Sequence, residues 1–447
     1  MKLGIVMPVL QEGATLARRL RALQPLRARG ARLVVVDSGS TDATWALARV
    51  QADQVLCAPR GRASQMNAGA QALLADPAID TLLFLHADTQ LPADADRLIA
   101  RALAQDQRAT PQVWGRFDVR IDGSHPLLRV VERMMNWRSR ISGIATGDQA
   151  IFVQRAAFEE VGGYSDIALM EDIRLCAQLK RLSPPACVGV PAHTSARRWE
   201  KHGVLRTIVL MWRLRAAYFF GATPQALALR YGYAPAPGVP SSALAVLAKA
   251  PVAGLAKTRL TPALGPAGAA RAQRRFTLAT LHCARAAALG PITLWCAPDA
   301  QHRFFRAVRG QVETCLVQPS GDLGARMGQA FQSHFAQQPG MPLLLVGTDC
   351  PAMAPGHLQQ AAQALQNHDV VLIPAEDGGY VLIGMRRWVP QALQHITWST
   401  DQVLLQTRQQ LRMAGASWAE LDTLWDVDEP SDWDRLQRWL DEIPTQA

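Results

Sequence analysis

The chain has 447 residues, 49% of them hydrophobic and 19% charged, which excludes a disordered-type composition and makes two buried cores the natural prior. Its net charge of +10 is uneven: the residues up to Pro237 hold 30 Lys and Arg against 20 Asp and Glu, while the remainder holds 17 of each. An excess confined to one half points to an anionic partner there, such as a nucleotide diphosphate or an acidic membrane surface, and with no nucleic-acid-reading motif present it excludes general nucleic-acid binding.

The opening "MKLGIVMPVL" runs straight into a buried-strand pattern and lacks the layout of a signal peptide. Seven cysteines stand singly, with no pair spaced to hold zinc or drive a redox cycle, so a reducing cytoplasm is expected. Further apolar runs, "ARLVVVDSG" and "DTLLFLHADT", follow at helix-length intervals. The segment "YGYAPAPGVPSS" packs three prolines and two glycines, which neither a helix nor a central strand tolerates, and it predicts a first domain over 1–232, a linker over 233–242 and a second domain over 243–447. The second half restarts with "ALAVLAKAPVAG" and continues through "PITLWCAP", "PLLLVGTDC" and "DVVLIPAEDGG". Strands alternating with helices predict an α/β fold with a mainly parallel sheet in each half, the same architecture begun twice. Asp88 and Asp349 each follow an aliphatic strand closely, at the carboxyl end where ligands of such sheets collect.

Asp37 ends an apolar strand and precedes "SGSTDAT", a run suited to a tight turn and a helix cap. Its residue type fits both an acceptor for a base or ribose and an N-cap. Glu171 and Asp172 precede an amphipathic stretch, which puts at least one carboxylate on a helix's first turn, either as a base or as a dipole-favoured pair. From Arg197 to Arg230 seven basic residues and one acidic are interleaved with "IVLMW" and "AAYFF", the composition of an interfacial helix, broken by Arg213 and Arg215 and too short to span a bilayer. Packing against other protein is the competing expectation. Arginine outnumbers lysine 42 to 5, and the second half's two lysines, Lys249 and Lys257, share one loop with Gly254 and Arg259, a set suited to phosphates.

Six strings, "MPVLQEGATL", "VVVDSGSTDAT", "GRASQMNAGA", "LLFLHADT", "TGDQAIFV" and "LMEDIRL", occur in an order that resembles family-2 glycosyltransferases, most closely a bacterial subgroup associated with radical-SAM and arsenosugar-biosynthesis loci. The resemblance implies a GT-A fold and inverting transfer from a nucleotide-sugar donor to a small-molecule or lipid acceptor. By it, Pro8, Glu12, Asp37, Arg62, Gln65 and Asn67 serve the nucleotide. Asp88 holds Mg²⁺ or Mn²⁺, with His86 where the family carries its first aspartate, a substitution that favours Mn²⁺ over Mg²⁺. Asp172, beside Glu171, is the base, and Gly147, Asp148 and Gln149 shape the acceptor side. "SARRWEKHG" resembles the QxxRW region, keeping Arg198 and Trp199 but with Ser195 in place of glutamine, which argues against a processive synthase. The second half, through "KAPVAGLAKTRL", "GDLGARM", "LLVGTDCP", "PAEDGGYVLIG" and "WDVDEPSDW", resembles a transferase family similar to nucleotidyltransferases. That likeness implies that Asp349 and Asp428 face a metal and that Asp377, Gly378 and Gly379 border a nucleotide. Asp426 and Asp428 also fit a capping loop before the final helix.

Overall fold

The computed structural model describes residues 1–104, 111–233 and 241–441, and of residues 198, 201, 202, 225, 440 and 441 only the backbone. The chain divides into two compact units, Met1–Pro237 and Gly238–Ala447. Most of the Pro/Gly-rich segment expected as a linker falls on 234–240, outside the described residues.

In the first unit the apolar runs become β1 (Leu3–Val9), β2 (Arg32–Asp37), β3 (Gln54–Cys57) and β4 (Thr81–Phe84), followed by β5 (Thr89–Gln90), β6 (Trp114–Asp122), β7 (Phe152–Gln154) and β8 (Ala186–Ser195). They form one sheet in the order β3-β2-β1-β4-β7-β6-β8-β5. β1 through β4 run parallel, and β7 is antiparallel to both β4 and β6. Every residue of β1 and β4 is buried, because a central parallel strand is covered on both faces and tolerates only a continuous apolar sequence. The helix Arg62–Leu74 packs Met66, Ala70 and Leu73 on Val6, Val36 and Phe84. Burial of each large side chain in such a layer is worth about 1.5–3 kcal/mol.

The second unit repeats this plan with β9 (Ala243–Lys249), β10 (Ile292–Ala297), β11 (Thr314–Val317), β12 (Leu343–Val346), β13 (Val370–Pro374), β14 (Tyr380–Met385) and β15 (Trp418–Glu420), in the order β11-β10-β9-β12-β14-β13-β15. β14 takes the antiparallel place of β7, and β15 lies parallel to β13 as β8 does to β6. One side-chain device recurs. Gln65 Nε2 donates to the carbonyls of Val9 and Val36 at the ends of β1 and β2, and Gln318 Nε2 donates to those of Ala248 and Trp295 near the ends of β9 and β10. These carbonyls lie at the carboxyl edge of each sheet, where the buried backbone needs donors that the ladder no longer supplies. Among the described residues no helix is long and apolar enough to cross a membrane.

Candidate functional site

Two cavities open at the carboxyl edge of the first sheet. One, of about 360 Å³, is walled by Pro8, Glu12, Ser38, Arg62, Gln65 and Asp88; the other, of about 320 Å³, by Arg138, Gly147, Asp148, Glu171, Asp172 and Trp199 with many apolar side chains. Arg62 and His86 belong to both walls, so the cavities meet there.

The backbone reasons are local. β4 ends at Phe84, Leu85 still donates to Val6, and the chain turns into β5, whose pairing with β8 and the bond from Ser195 N to Asp88 O (3.2 Å) pin Asp88 at the sheet's edge. Gly147 to Gln149 form a single 3-10 turn, closed by bonds from Gln149 N to Thr146 O (2.8 Å) and from Thr146 N to Gln149 Oε1 (3.3 Å). A Cβ on Gly147 would lie 2.1 Å from the His86 ring, so only glycine lets this turn close over the imidazole. The turn brings Asp148 to His86, with Oδ1 and Nδ1 3.4 Å apart. His86, Asp88 and Asp148 offer ligand atoms within 4.8 Å of one another.

This set fits a divalent cation. His86 is buried, and its Nε2 has no hydrogen-bond partner among the described residues. Burial raises the Asp88 carboxyl above its ordinary range and Asp148 adds to the effect, while His86 and Arg62 only partly offset it. One imidazole and two carboxylates suit Mn²⁺ better than Mg²⁺.

Glu171 and Asp172 open the helix Glu171–Leu179 behind Met170, which holds a left-handed backbone (φ 72°, ψ 21°) that is strained for a residue with a side chain. Asp172 accepts from the backbone N–H of Gly147 (3.1 Å) and of Ile173 (2.7 Å). Burial still raises its carboxyl, and burial together with Asp172 raises that of Glu171. Arg62, at the start of its helix, is pulled down by burial but held firmly charged by Tyr233, Glu171, Tyr231 and Asp148.

Other expected residues fall differently. Asp37 is fully buried; its Oδ1 accepts from Ser40 N and Oγ, its Oδ2 has no partner among the described residues, and burial pushes it up to about 6. It stands under the cavity wall, because the Ser38–Thr41 turn folds over it and Ser40 Oγ also receives Gln11 N. Asn67 faces away, exchanging bonds with the Tyr164 backbone. Gln149 lies beneath the acceptor-side wall, donating to Ser139 Oγ. Glu12 is in the wall and accepts from Thr15 and Arg197. Trp199 lines the acceptor-side cavity, and the Arg198 side chain lies outside the described residues. The sequence reading missed Arg138, whose buried Nε and Nη2 have no partner among the described residues. Asp148 lies in the wall of the acceptor-side cavity, and its carboxylate also stands 3.4 Å from His86, an approach the sequence does not show.

The second unit holds a larger cavity, about 560 Å³, at the same edge of its sheet, with Lys249, Lys257, Arg259, Asp349, Asp377 and Gly379 in its wall. Asp426 and Asp428 reach it too. Lys257 Nζ donates to Asp428 Oδ1 (2.5 Å), Val427 O (2.8 Å) and Asp349 Oδ2 (3.1 Å). Its ammonium therefore lies between the two aspartates expected to face a metal, and a phosphate would have to compete with both. Burial lowers the Lys257 pKa, but Asp349 and Asp428 outweigh it and the net shift is upward. Asp426 is pushed up to about 7 by burial and by Asp377, Asp349 and Asp428. Gly378 is left-handed (φ +88°) and a Cβ there would lie 2.3 Å from the Asp401 carbonyl, so its part is to let two loops touch. Among the described residues the only ligand-type triad is that of the first unit.

A doubled α/β architecture with mostly parallel sheets and polar residues gathered at their carboxyl edges defines the fold of nucleotide-diphospho-sugar transferases of the GT-A kind. Residues 4–162 match the family model described as glycosyl transferase family 2, and residues 280–400 match that of an uncharacterized protein conserved in bacteria, DUF2064. The chain thus carries an N-terminal glycosyltransferase-like domain followed by a DUF2064 domain. Among solved structures, a protein from Desulfovibrio desulfuricans G20 assigned as a nucleotide-diphospho-sugar transferase is similar at 29% identity, over 45% of this chain and 87% of that one, with a TM-score of 0.41. TarS of S. aureus is similar at 12% identity over 44% and 61% (TM-score 0.34). Glucosyl-3-phosphoglycerate synthase of Mycobacterium tuberculosis, solved with Mn²⁺ and UDP, is similar at 18% identity over 43% and 70% (TM-score 0.33). No curated protein matches.

Proposed function

We propose that the N-terminal half transfers a sugar from a nucleoside-diphosphate donor to an acceptor hydroxyl with inversion. The observation that supports this is the meeting of two cavities at Arg62 and His86, with Asp88 on one side and Glu171 and Asp172 on the other. The donor's base and ribose lie against Pro8, Glu12 and Gln65, and Arg62 faces the diphosphate, for which its planar donors are suited. His86, Asp88 and Asp148 would hold Mn²⁺ or Mg²⁺, which neutralises charge growing on the leaving diphosphate. Asp172, with Glu171 beside it, takes the acceptor's hydroxyl proton. The acceptor oxygen bonds to the anomeric carbon from the opposite face as the bond to the diphosphate oxygen breaks, and the nucleoside diphosphate departs with that electron pair. The raised carboxyls of Glu171 and Asp172 place the base nearer neutral pH than a free carboxylate.

The DUF2064 half is, in this reading, a nucleotide-handling partner that prepares or binds an activated donor, making the enzyme bifunctional. Its support is the repeated sheet plan with a wide, charged cavity at the same edge. Membership of the arsenosugar-associated subgroup rests on the motif strings alone, and a cytoplasmic setting rests on seven cysteines that stand singly along the sequence. Incubation with a panel of nucleotide sugars and Mn²⁺ tests the reading: wild type consumes one of them, and Asp88→Ala does not. Equal consumption by the variant removes Asp88 from the chemistry.

A further inference from the structure

The acceptor-side cavity differs in kind from the donor-side one. Its wall is mostly apolar, supplied by the helices Pro126–Ser142 and Val204–Phe219 through Val130, Met134, Trp137, Ile208, Met211 and Trp212. The same helices leave apolar side chains exposed, some in the cavity wall and others beyond it. On the first, Val130, Met134, Trp137 and Ile141 are exposed at intervals of four, three and four residues, a stripe along one face. On the second, Leu205, Val209 and Trp212 do the same, and Phe219 and Phe220 end it at 85% and 84% exposure.

Ordinary monomers do not leave such a continuous apolar surface in water. Interspersed with it are Arg133 on the first helix and Arg206, Arg213 and Arg215 on the second, which carries no acidic residue, while Arg129 and Arg140 of the first helix are paired to Glu132 and Asp118. Large apolar side chains beside arginines, on helices too short and too charged to insert across a bilayer, are the chemistry of an anionic lipid surface. Inside the cavity, the Nε and Nη2 atoms of Arg138 are buried with no partner among the described residues, where they would receive an anionic group beside Asp172.

We infer that the rim built by the helices Pro126–Ser142 and Val204–Phe219 seats the acceptor cavity on an anionic phospholipid surface, and that the acceptor is a lipid whose chain fills the apolar wall while its charged head meets Arg138. This rests on the acceptor-side reading of the N-terminal half, and it narrows the acceptor to an amphiphile.

The full-length protein is floated with phosphatidylcholine vesicles and with vesicles containing phosphatidylglycerol, and Trp fluorescence is followed with brominated acyl chains. Wild type floats with the anionic vesicles, binds them less as salt rises, and has its tryptophans quenched by the bromines. The triple variant Ile141→Ser, Phe219→Ser, Phe220→Ser, altered only at rim positions outside the cavity wall, loses about tenfold or more of that binding. Nucleoside-diphosphate binding with Mn²⁺, measured without vesicles on the same variant, stays at the wild-type level and reports folding. Equal flotation of variant and wild type, absence of wild-type flotation, or a concentration-dependent dimer abolished by the same substitutions each overturns the proposal; the last gives the face to a second copy of the chain. Loss of nucleotide binding in wild type with flotation intact sinks the transferase reading and leaves the docking face standing.

Discussion

The imidazole Nδ1 of His86 stands 3.4 Å from a carboxylate oxygen of Asp148, across the seam between the two cavities of the N-terminal half. Asp88, from the same loop as His86, completes a triad whose atoms fall within 4.8 Å of one another. Two carboxylates this close repel unless a cation sits between them, and Asp148 is one of the groups that raise the Asp88 carboxyl. Asp148→Asn is therefore expected to weaken Mn²⁺ binding by about tenfold or more, by analogy with the loss of a ligand-orienting group. Calorimetric titration with Mn²⁺ checks this, and unchanged affinity would remove Asp148 from the set.

Gly147 should be as sensitive as the ligands. A methyl group there overlaps the His86 ring at 2.1 Å, so Gly147→Ala must push the imidazole or open the turn. Overpacking of this kind costs about 1–3 kcal/mol. The expected result is a lower denaturation midpoint together with weaker Mn²⁺ binding; weakened stability alone would mean that the His86 position is irrelevant to the cation.

In the second half, Lys257 holds Asp349 and Asp428 together from a left-handed backbone position (φ 46°). The lysine side chain is 9% exposed while the aspartates are 37% and 39% exposed, so water screens part of the attraction. Lys257→Met should cost about 1–3 kcal/mol in chemical denaturation, the range for stranding a hydrogen-bonded partner. If the cavity handles nucleotide phosphates through this loop, nucleoside triphosphate binding falls as well. A variant that binds nucleotide as wild type does confines Lys257 to a structural part.

Acid should loosen the second half through Asp369. Arg387 first, with Ser417 and Arg386, holds this carboxyl well below the usual carboxylate range against the opposing effect of burial. The folded state thus keeps the group ionised where the unfolded chain would protonate it, so its contribution is complete above about pH 3.9 and is lost as pH falls below that value. Asp369→Asn is expected to be less stable at pH 7 and to lose less on going to pH 3. Parallel pH curves for variant and wild type would contradict this.

How far the sequence led depended on the distance between partners. β1, β4, β9 and β12 were legible because a strand covered on both faces must be a continuous apolar run. Asp88 and the Glu171-Asp172 pair could be placed at strand and helix ends from neighbouring residues. Asp148 could not be joined to His86, since their approach depends on a turn docked by β7 beside β4. Lys257 read as a free phosphate donor because its partners, Asp349 and Asp428, lie 92 and 171 residues away. Asn67 looked like a ligand contact, and only the fold reveals the Tyr164 backbone that occupies it. The stripe from Val130 to Ile141 has helical spacing in the sequence, but its exposure is a property of the assembled unit.

The proposed chemistry turns on Asp172 accepting the acceptor's proton at the edge of the second cavity. Single-turnover transfer from the nucleotide sugar that wild type consumes, measured for Asp172→Asn beside its donor affinity with Mn²⁺, addresses that most directly. Donor affinity should stay within a few-fold while transfer falls by about 10²–10⁴, the contribution of a positioned base. Transfer at the wild-type rate by Asp172→Asn would contradict the account.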